Sequence, residues 1–508
     1  MDGVAIMVLA CHYCLIGALC VYGGHRIHHS LIALRRNRAA PGGAGTPPGA
    51  PSTEPRACTR VYTQIWPRVT VQAPVYNERY VVERLIDALA ALDYPRDRLQ
   101  IQILDDSTDD SVAIAARRIA FHRARGIDIA HVRRAARDGF KAGALNDALA
   151  LSTGDFIAVF DADFAPAPDF LKRTMPSFDD PGIGMVQTRW RHLNLDENLL
   201  TRVQGVFLDA HFAVEQCARA RLGVFFNFNG TAGIWRKRTI LDAGGWRADT
   251  LTEDLDLSYR AQLNRWRFRY LPDVGCPSEL PADMAAFKSQ QHRWAKGAIE
   301  VMKKLLGAVW KSPAPLTTKI EATFHLTGNF TYMLMLIDTL FFLLPSVHIR
   351  ETAGLGLLAW LDAPLFLLAS LSHAWFFLSS QKLTYGRVAG AFAMLPALLA
   401  VSIGLGVNNG RAVIEALAGR VSGFVRTPKT GERAAAAAGT PAPAGAYRAA
   451  SAQWAYRLEI ALGLAYAGYI LWAALRGYAL IMPFLTLFAI GFFGVGVASR
   501  RAHRSATG

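Results

Sequence analysis

The sequence predicts an α/β domain with a mostly parallel sheet, joined to N- and C-terminal transmembrane helices and to interfacial helices. Three observations support this fold class. The chain has 508 residues, of which 52% are hydrophobic and 19% charged, a mixture typical of a soluble domain attached to membrane segments. Short apolar runs alternate with helix-period segments in the first half of the chain. Long apolar segments lie at both ends.

The charge and cysteine content narrow the class of protein. The net charge is +15, and Lys and Arg cluster beside apolar segments. This distribution is typical of membrane proteins that face an anionic lipid surface, and it does not favour nucleic-acid binding. The six cysteines are scattered and imply no disulfide framework, which is typical of a cytosolic catalytic domain.

The N-terminal segment predicts a retained membrane helix. Residues 1–24 are mostly apolar, and the basic cluster follows this apolar segment instead of preceding it as in a signal peptide. These positive charges place the following residues in the cytosol. Residues 25–65 are a basic segment and a linker rich in Pro and Gly.

Residues 66–282 predict a single cytosolic α/β domain. Apolar runs and helical patterns alternate here, which favours a parallel sheet. The predicted strands are residues 69–73, 101–104, 156–160 and 183–188, and the predicted helices are residues 80–92, 140–151 and 252–263. Residues 225–236 are predicted to form an aromatic, glycine-rich loop, and Thr252 is a predicted N-cap.

The remaining chain predicts membrane-associated helices. Residues 283–318 have the pattern of an amphipathic helix at the membrane interface. Residues 319–407 hold three apolar segments, residues 408–453 a loop rich in Arg, and residues 454–508 two more apolar segments and a basic tail. The basic loop is expected in the cytosol, whereas three crossings would place it outside. We therefore interpret residues 319–407 as two transmembrane helices plus an interfacial or re-entrant segment, 388–407.

Carboxylates recur where predicted strands end or helices begin. Asp105 and Asp106 follow one strand, Asp161 and Asp163 follow another, and Glu253 and Asp254 open a helix. Ligands of open α/β sheets bind at the carboxyl ends of strands. Two carboxylates one residue apart suit a divalent cation bound to phosphate, although a lone DxD is more often a solvated loop.

A Gln-Gln-His-Arg-Trp run at residues 290–294 follows these carboxylates on the amphipathic helix. This order of Asp, DxD, TED and QxxRW before membrane helices resembles the inverting family 2 glycosyltransferases of the cellulose-synthase superfamily, which have a GT-A catalytic domain. Five segments resemble the sequences of plant glucomannan and xyloglucan-backbone synthases: APVYNE at 73–78, QILDDSTD at 102–109, KAGALN at 141–146, VFDADF at 159–164 and NGTAGIWR at 229–236. FVRTPK at 424–429 resembles the gating loop of processive synthases.

The resemblance implies roles for individual residues. It implies that Asp163 binds Mg²⁺ or Mn²⁺, with Asp161 supporting the metal or contacting the donor, and that Asp254 is the general base. The implied nucleotide-sugar-binding residues are Pro74, Tyr76, Glu78, Asp105, Asp106, Lys141 and Asp161. The implied acceptor- and diphosphate-binding residues are Asn229, Gly230, Thr231, Glu253, Gln290, Arg293 and Trp294. The implied gating residues are Phe424, Thr427 and Lys429.

These roles imply an enzyme that polymerises a β-linked polysaccharide. The expected product is a 1,4-linked glycan such as mannan, glucomannan or glucan. The catalytic domain is expected in the cytosol, and the glycan is expected to be extruded across the plasma or inner membrane. The expected partners are a nucleotide-sugar donor (GDP-mannose or UDP-glucose), the growing glycan acceptor and membrane lipids, without nucleic acid. Similar QxxRW motifs occur in ceramide glucosyltransferases, so transfer of one sugar to a lipid is the alternative. A non-catalytic export subunit is a further hypothesis, but this chain retains every carboxylate and the Gln-Arg-Trp set.

Overall fold

A seven-stranded sheet forms the centre of the α/β domain. The computed structural model describes residues 2–35, 66–355, 358–420, 453–479 and 481–507. The strands within these ranges are β1 (Val69–Val75), β2 (Leu99–Asp105), β3 (Ile129–Val132), β4 (Phe156–Val159), β5 (Ile183–His192), β6 (Gly233–Arg236) and β7 (Arg267–Ser278). Their order is β3-β2-β1-β4-β6-β5-β7, and only β6 runs antiparallel to its neighbours. The predicted mostly parallel sheet is confirmed, whereas β6 lies in the segment predicted to be a loop.

Helices cover both faces of the sheet. In this part of the chain they are α2 (Val82–Ala90), α3 (Ser111–Arg123), α4 (Phe140–Leu149), α5 (Phe170–Thr174), α6 (Leu199–Ala210), α7 (Cys217–Leu222), α8 (Lys237–Asp242) and α9 (Glu253–Leu263). Strand alternation divides the core, since Ile103 and Ala158 pack on one face and Leu104 and Ile157 on the other. A π-helical turn, His211–Gln216, joins α6 to α7.

Further helices, several of them long and apolar, precede and follow the sheet domain. They are α1 (Gly3–Leu34), α10 (Met284–Lys311), α11 (Leu316–Thr327), α12 (Phe330–Ile337), α13 (Leu343–Thr352), α14 (Ala359–Tyr385), α15 (Ala389–Gly404), α16 (Gly406–Leu417), α17 (Gln453–Leu475) and α18 (Met482–Thr507). Among the described residues, five stretches are long and apolar enough to span a membrane: Gly3–Leu34, Phe330–Thr352, Ala389–Leu417, Gln453–Leu475 and Met482–Arg504. These helices indicate an integral membrane protein. The stretch assigned above to an interfacial or re-entrant segment is among the five, and which apolar segments cross stays a prediction.

The helix α10 connects the sheet domain to the candidate membrane-spanning helices. It begins where the Asp283 carboxylate accepts a hydrogen bond from the Ala286 N–H at 2.9 Å. The amphipathic pattern predicted a helix here, and the structure has one. Two of its lysines are nevertheless buried: Lys288 pairs with Glu459 of α17 at 2.6 Å, and Lys296 Nζ donates to the Arg420 carbonyl at 2.5 Å. The helix therefore packs between other elements of the protein along this face.

Candidate active site

A cavity of about 210 Å³ opens where β1, β2 and β4 end, at the carboxyl edge of the parallel strands. It brings together most of the predicted site residues from distant parts of the chain. Those that line it are Pro74, Tyr76, Glu78, Asp106, Lys141, Asp161, Asp163, Asn229, Gly230, Glu253, Asp254, Gln290, Arg293 and Trp294. Asp105 and Thr231 do not line it. The predicted gating residues Phe424, Thr427 and Lys429 lie outside the described residues.

The first carboxylate of the DxD faces a lysine. Lys141, near the start of α4, lies 2.6 Å from Asp161 Oδ1, donates to the Gly230 carbonyl at 2.9 Å and lies 3.7 Å from Glu253. Burial alone would lower the pKa of Lys141, but Asp161 and Glu253 outweigh it and raise that pKa. Lys141 therefore stays charged and holds three predicted site residues together.

Asp254 is suited to accept a proton. It stands in the first turn of α9, where its Oδ1 accepts a hydrogen bond from the Leu255 N–H at 2.8 Å. Burial, with the neighbouring Glu253 charge, raises the pKa of Asp254 to about 7, while Lys141 opposes the rise. A carboxyl group with a pKa near neutrality is effective in general acid–base catalysis.

The backbone of the loop before β6 approaches Asp254 closely. Gly230 has a φ of +79°, and a Cβ there would lie 3.0 Å from Asp254 Oδ2. Thr231 is fully buried, and its hydroxyl accepts a hydrogen bond from the Asp161 N–H at 2.9 Å. Thr231 thus holds the backbone of the DxD segment in place and does not line the cavity.

The two adjacent aspartates after β2 have different surroundings. Asp105 is buried; it accepts a hydrogen bond from the Ser107 N–H at 2.8 Å and lies 2.8 Å from His131 Nε2. Asp105 therefore braces the loop, which departs from its predicted place in the nucleotide pocket. Asp106 lines the cavity, where Arg134 binds it through two nitrogens at 3.1 and 2.5 Å.

Arginines that the sequence did not single out stand on the same side of the cavity or just behind it. The Arg137 guanidinium lies 3.3 Å from the ring centre of Tyr76, and both residues line the cavity. Arg84 pairs with Glu279, a further lining carboxylate, at 2.5 Å. Each arginine is far in sequence from its partner and carries no motif of its own.

The QxxRW residues stand on the wall formed by α10. Burial lowers the pKa of Arg293 to about 10, while Glu253 and Asp161 act in the opposite direction. Trp294 lies beside Trp190, with ring centroids 6.4 Å apart. Both indoles line the cavity and offer apolar faces against which a sugar ring can pack.

A second cavity, of about 480 Å³, begins at the first and continues among the membrane helices. The residues shared by both cavities are Trp190, Leu208, Asn229, Thr252, Asp254, Gln290 and Trp294. From there it passes Leu19 of α1, Tyr332 of α12 and Leu399 of α15, and reaches Phe488 of α18. Asp254 therefore lies at the junction, whereas Lys141, Arg293 and the DxD residues line the first cavity alone.

The first cavity is chemically suited to a divalent cation. Within the described part of the chain, seven carboxyl groups line it against three cationic side chains; Arg134 and Arg84 pair with two of the seven, Asp106 and Glu279, which leaves five. Asp163 is only 8% exposed. Carboxylate oxygens are the ligands that Mg²⁺ and Mn²⁺ prefer, and an excess of buried negative charge is stabilised by such an ion. The DxD residues therefore fit the predicted metal.

Two polar residues of the helices that follow α10 have partners outside this cavity. Asp338, in the π-helical turn that follows α12, lies 2.8 Å from His12 of α1. His325 bonds with the Tyr259 hydroxyl at 2.9 Å.

Residues 67–297 match the family model described as Glycosyltransferase like family 2. This part of the chain is thus similar to family 2 glycosyltransferases, as the motifs predicted. It is 45% identical over 252 residues to glucomannan 4-beta-mannosyltransferase 1 of Oryza sativa subsp. japonica, covering 48% of each chain. It is 47% identical over 249 residues to glucomannan 4-beta-mannosyltransferase 2 of Arabidopsis thaliana, covering 47% of this chain and 46% of that one. The matches thus span about half the length of these curated relatives.

One solved structure shares the fold. It is a mannosyltransferase from Pyrobaculum calidifontis in complex with GDP-Man and Mn²⁺, with a TM-score of 0.51 and 21% identity over 75% of this chain and 99% of that chain. This similarity and the sheet order confirm the predicted GT-A fold class.

Proposed function

We propose that this protein is an inverting, metal-dependent glycosyltransferase that extends a β-1,4-linked, mannose-containing glycan from a nucleotide sugar. The observation that carries the proposal is the junction of the two cavities at Asp254. One cavity holds the acidic and cationic groups that suit a nucleotide diphosphate, and the other is long enough and aromatic enough for a glycan. The names of the curated relatives support mannose as the transferred sugar.

The donor is held by residues of the first cavity. Tyr76, Arg137 and the Asp106–Arg134 pair receive the nucleoside, and Lys141 and Arg293 face the diphosphate. A divalent cation held by Asp163 and Asp161 would neutralise the charge that develops on the leaving diphosphate. Arg293 suits bidentate contact with phosphate oxygens because its planar guanidinium presents paired donors.

The acceptor approaches from the second cavity. Its terminal hydroxyl gives its proton to Asp254 as the oxygen bonds to the anomeric carbon and the bond from that carbon to the diphosphate breaks. Since Asp254 lies between the cavities, the hydroxyl attacks from the side opposite the leaving group. An α-linked donor then yields a β-linked product, and Trp190 and Trp294 support the sugar rings at the junction.

The second cavity also supports export of the product. Candidate membrane-spanning helices supply its walls, so a growing chain that leaves Asp254 enters it directly. We therefore propose that the enzyme is processive, that its catalytic domain lies in the cytosol, and that the glycan crosses the plasma or inner membrane.

Turnover by purified protein in liposomes tests this function. Radiolabelled GDP-mannose and UDP-glucose would be supplied separately with Mg²⁺ or Mn²⁺, and the product sized and digested with linkage-specific hydrolases. We expect a mannanase-sensitive polymer from GDP-mannose, absent for Asp254→Asn. A single sugar on an extractable lipid would instead identify the lipid glycosyltransferase alternative.

A further inference from the structure

A histidine at the cavity junction lies between two oxygen-bearing side chains. His211 Nδ1 lies 3.0 Å from Glu215 Oε2, and its Nε2 lies 2.8 Å from Asn229 Oδ1. His211 and Glu215 belong to the π-helical turn His211–Gln216, a widened turn that is frequent at functional sites. All three side chains line the second cavity.

The Asn229 amide is fixed in one orientation. Its Oδ1 also accepts a hydrogen bond from Asn227 Nδ2 at 3.1 Å, and its backbone N–H donates to Gln187 Oε1 at 2.8 Å. Its Nδ2 is shielded from solvent and has no hydrogen-bond partner among the described residues. A buried, unpaired donor is unfavourable until a ligand accepts from it. The next residue, Gly230, lies against Asp254.

We propose that His211 and Glu215 are positioning residues that aim the Asn229 Nδ2 at a hydroxyl of the acceptor's terminal sugar. The Asn229 amide can present either its oxygen or its nitrogen to the junction. In the proposed arrangement both ring nitrogens of His211 carry a proton: Nδ1–H donates to the Glu215 carboxylate, and Nε2–H donates to Asn229 Oδ1 and so selects the amide orientation. Neither residue touches the reacting atoms. This inference rests on the proposed function, because it assumes a sugar acceptor at the junction.

A chain of ion pairs, centred on the buried Arg219 and Glu321, braces this arrangement from the N-terminal helix. Glu215 lies 3.7 Å from Arg219, which pairs with Glu321 at 2.9 Å. The other oxygen of Glu321 lies 2.7 Å from His25 and 3.1 Å from His29, both on α1. Burial raises the pKa of Glu215, but His211 and Arg219 outweigh burial and lower it, so the carboxylate facing His211 is ionised. The acceptor side of the junction is thus tied to a membrane helix.

Steady-state kinetics with a soluble mannooligosaccharide acceptor tests the inference. His211→Ala should raise the acceptor KM about tenfold, the value of one hydrogen bond, and leave the donor KM and the donor hydrolysis rate unchanged. His211→Gln keeps an N–H donor and should restore the acceptor KM to within about threefold of wild type. Asn229→Asp replaces the amide N–H donor by a carboxylate oxygen and should raise the acceptor KM as much as His211→Ala does. The double variant should raise the acceptor KM little further.

A histidine that lies outside both cavities provides a matched control. His192 is a histidine of the same domain that lines neither cavity and lies 3.6 Å from Asp209; His192→Ala should not raise the acceptor KM selectively. Equal changes in donor and acceptor KM for His211→Ala, or no rescue by His211→Gln, would overturn the positioning role. Failure of the wild-type protein to elongate any oligosaccharide would instead refute the proposed function, so the two failures are distinguishable.

Discussion

Replacing Asp254 by Asn is expected to lower the rate of transfer and to raise the stability of the protein. The variant removes the proposed base without changing the shape of the side chain, so transfer should fall by about 10²–10⁴-fold, the usual contribution of a positioned general base. Because the pKa of Asp254 is about 7, the wild-type rate should also fall about tenfold per pH unit below that value. Metal-dependent nucleotide binding should persist, since the DxD residues are untouched.

The same change should stabilise the protein at alkaline pH. A rise of the Asp254 pKa from about 3.9 to about 7 corresponds to about 4 kcal/mol of unfavourable free energy for the ionised native state. Asp254 is only partly buried, so we expect a gain of about 2–4 kcal/mol for Asp254→Asn at pH 8, or roughly 5–10 °C in Tm.

The pH dependence fixes the sign of this effect. The native state keeps its proton to a higher pH than the unfolded chain does, so wild-type stability rises as the pH falls from 8. The difference between variant and wild type should shrink through pH 7 and vanish near pH 4. Differential scanning fluorimetry in detergent, with EDTA and without donor, measures it. A variant that is less stable than wild type at pH 8, or that retains transfer, would refute the reasoning.

Three further changes test other parts of the site. Asp163→Ala should weaken Mn²⁺-dependent nucleotide binding by at least about tenfold in calorimetry, and excess metal should not restore it; unchanged affinity would place the metal elsewhere. Gly230→Ala should lower transfer at least about tenfold and stability by about 1–2 kcal/mol, because its positive φ and the nearby Asp254 oxygen both oppose a Cβ; wild-type turnover would contradict this. Lys288→Ala should destabilise by about 3–5 kcal/mol by leaving Glu459 unpaired, whereas replacing both by Met should be nearly neutral in the same melting assay; equal losses would argue against the buried pair.

Local patterns predicted the sheet domain well because its strands are apolar runs that end in polar residues. The predicted run 156–160 and the DxD that follows it occur as β4 and its exit. β6 was not predicted because Gly233–Arg236 pairs with two strands that are distant in sequence. Local patterns do not encode pairing of this kind. The helices at 140–151 and 252–263 were predicted with ends that differ by one or two residues.

The candidate site was less completely predictable. Asp105 and Asp106 are chemically identical neighbours, and only the positions of His131 and Arg134 decide which one braces the loop and which one faces the cavity. His211 gives no signal in the sequence, because its partner Asn229 lies on a loop eighteen residues away. Thr252 occupies the predicted N-cap position, yet its side chain makes no capping hydrogen bond.

The direction of β6 determines which parts of the surface can be altered freely. Because β6 runs against β4, the residues before it reach the active edge of the sheet, and those after it emerge at the opposite edge. There Lys237 Nζ donates to the Ser152 carbonyl at 2.8 Å, and the Arg238 side chain is 79% exposed. A fluorophore or an affinity handle at Arg238 would thus be separated from the first cavity by the length of the strands. It would offer a reporting position at the end of the domain that lies away from the cavity.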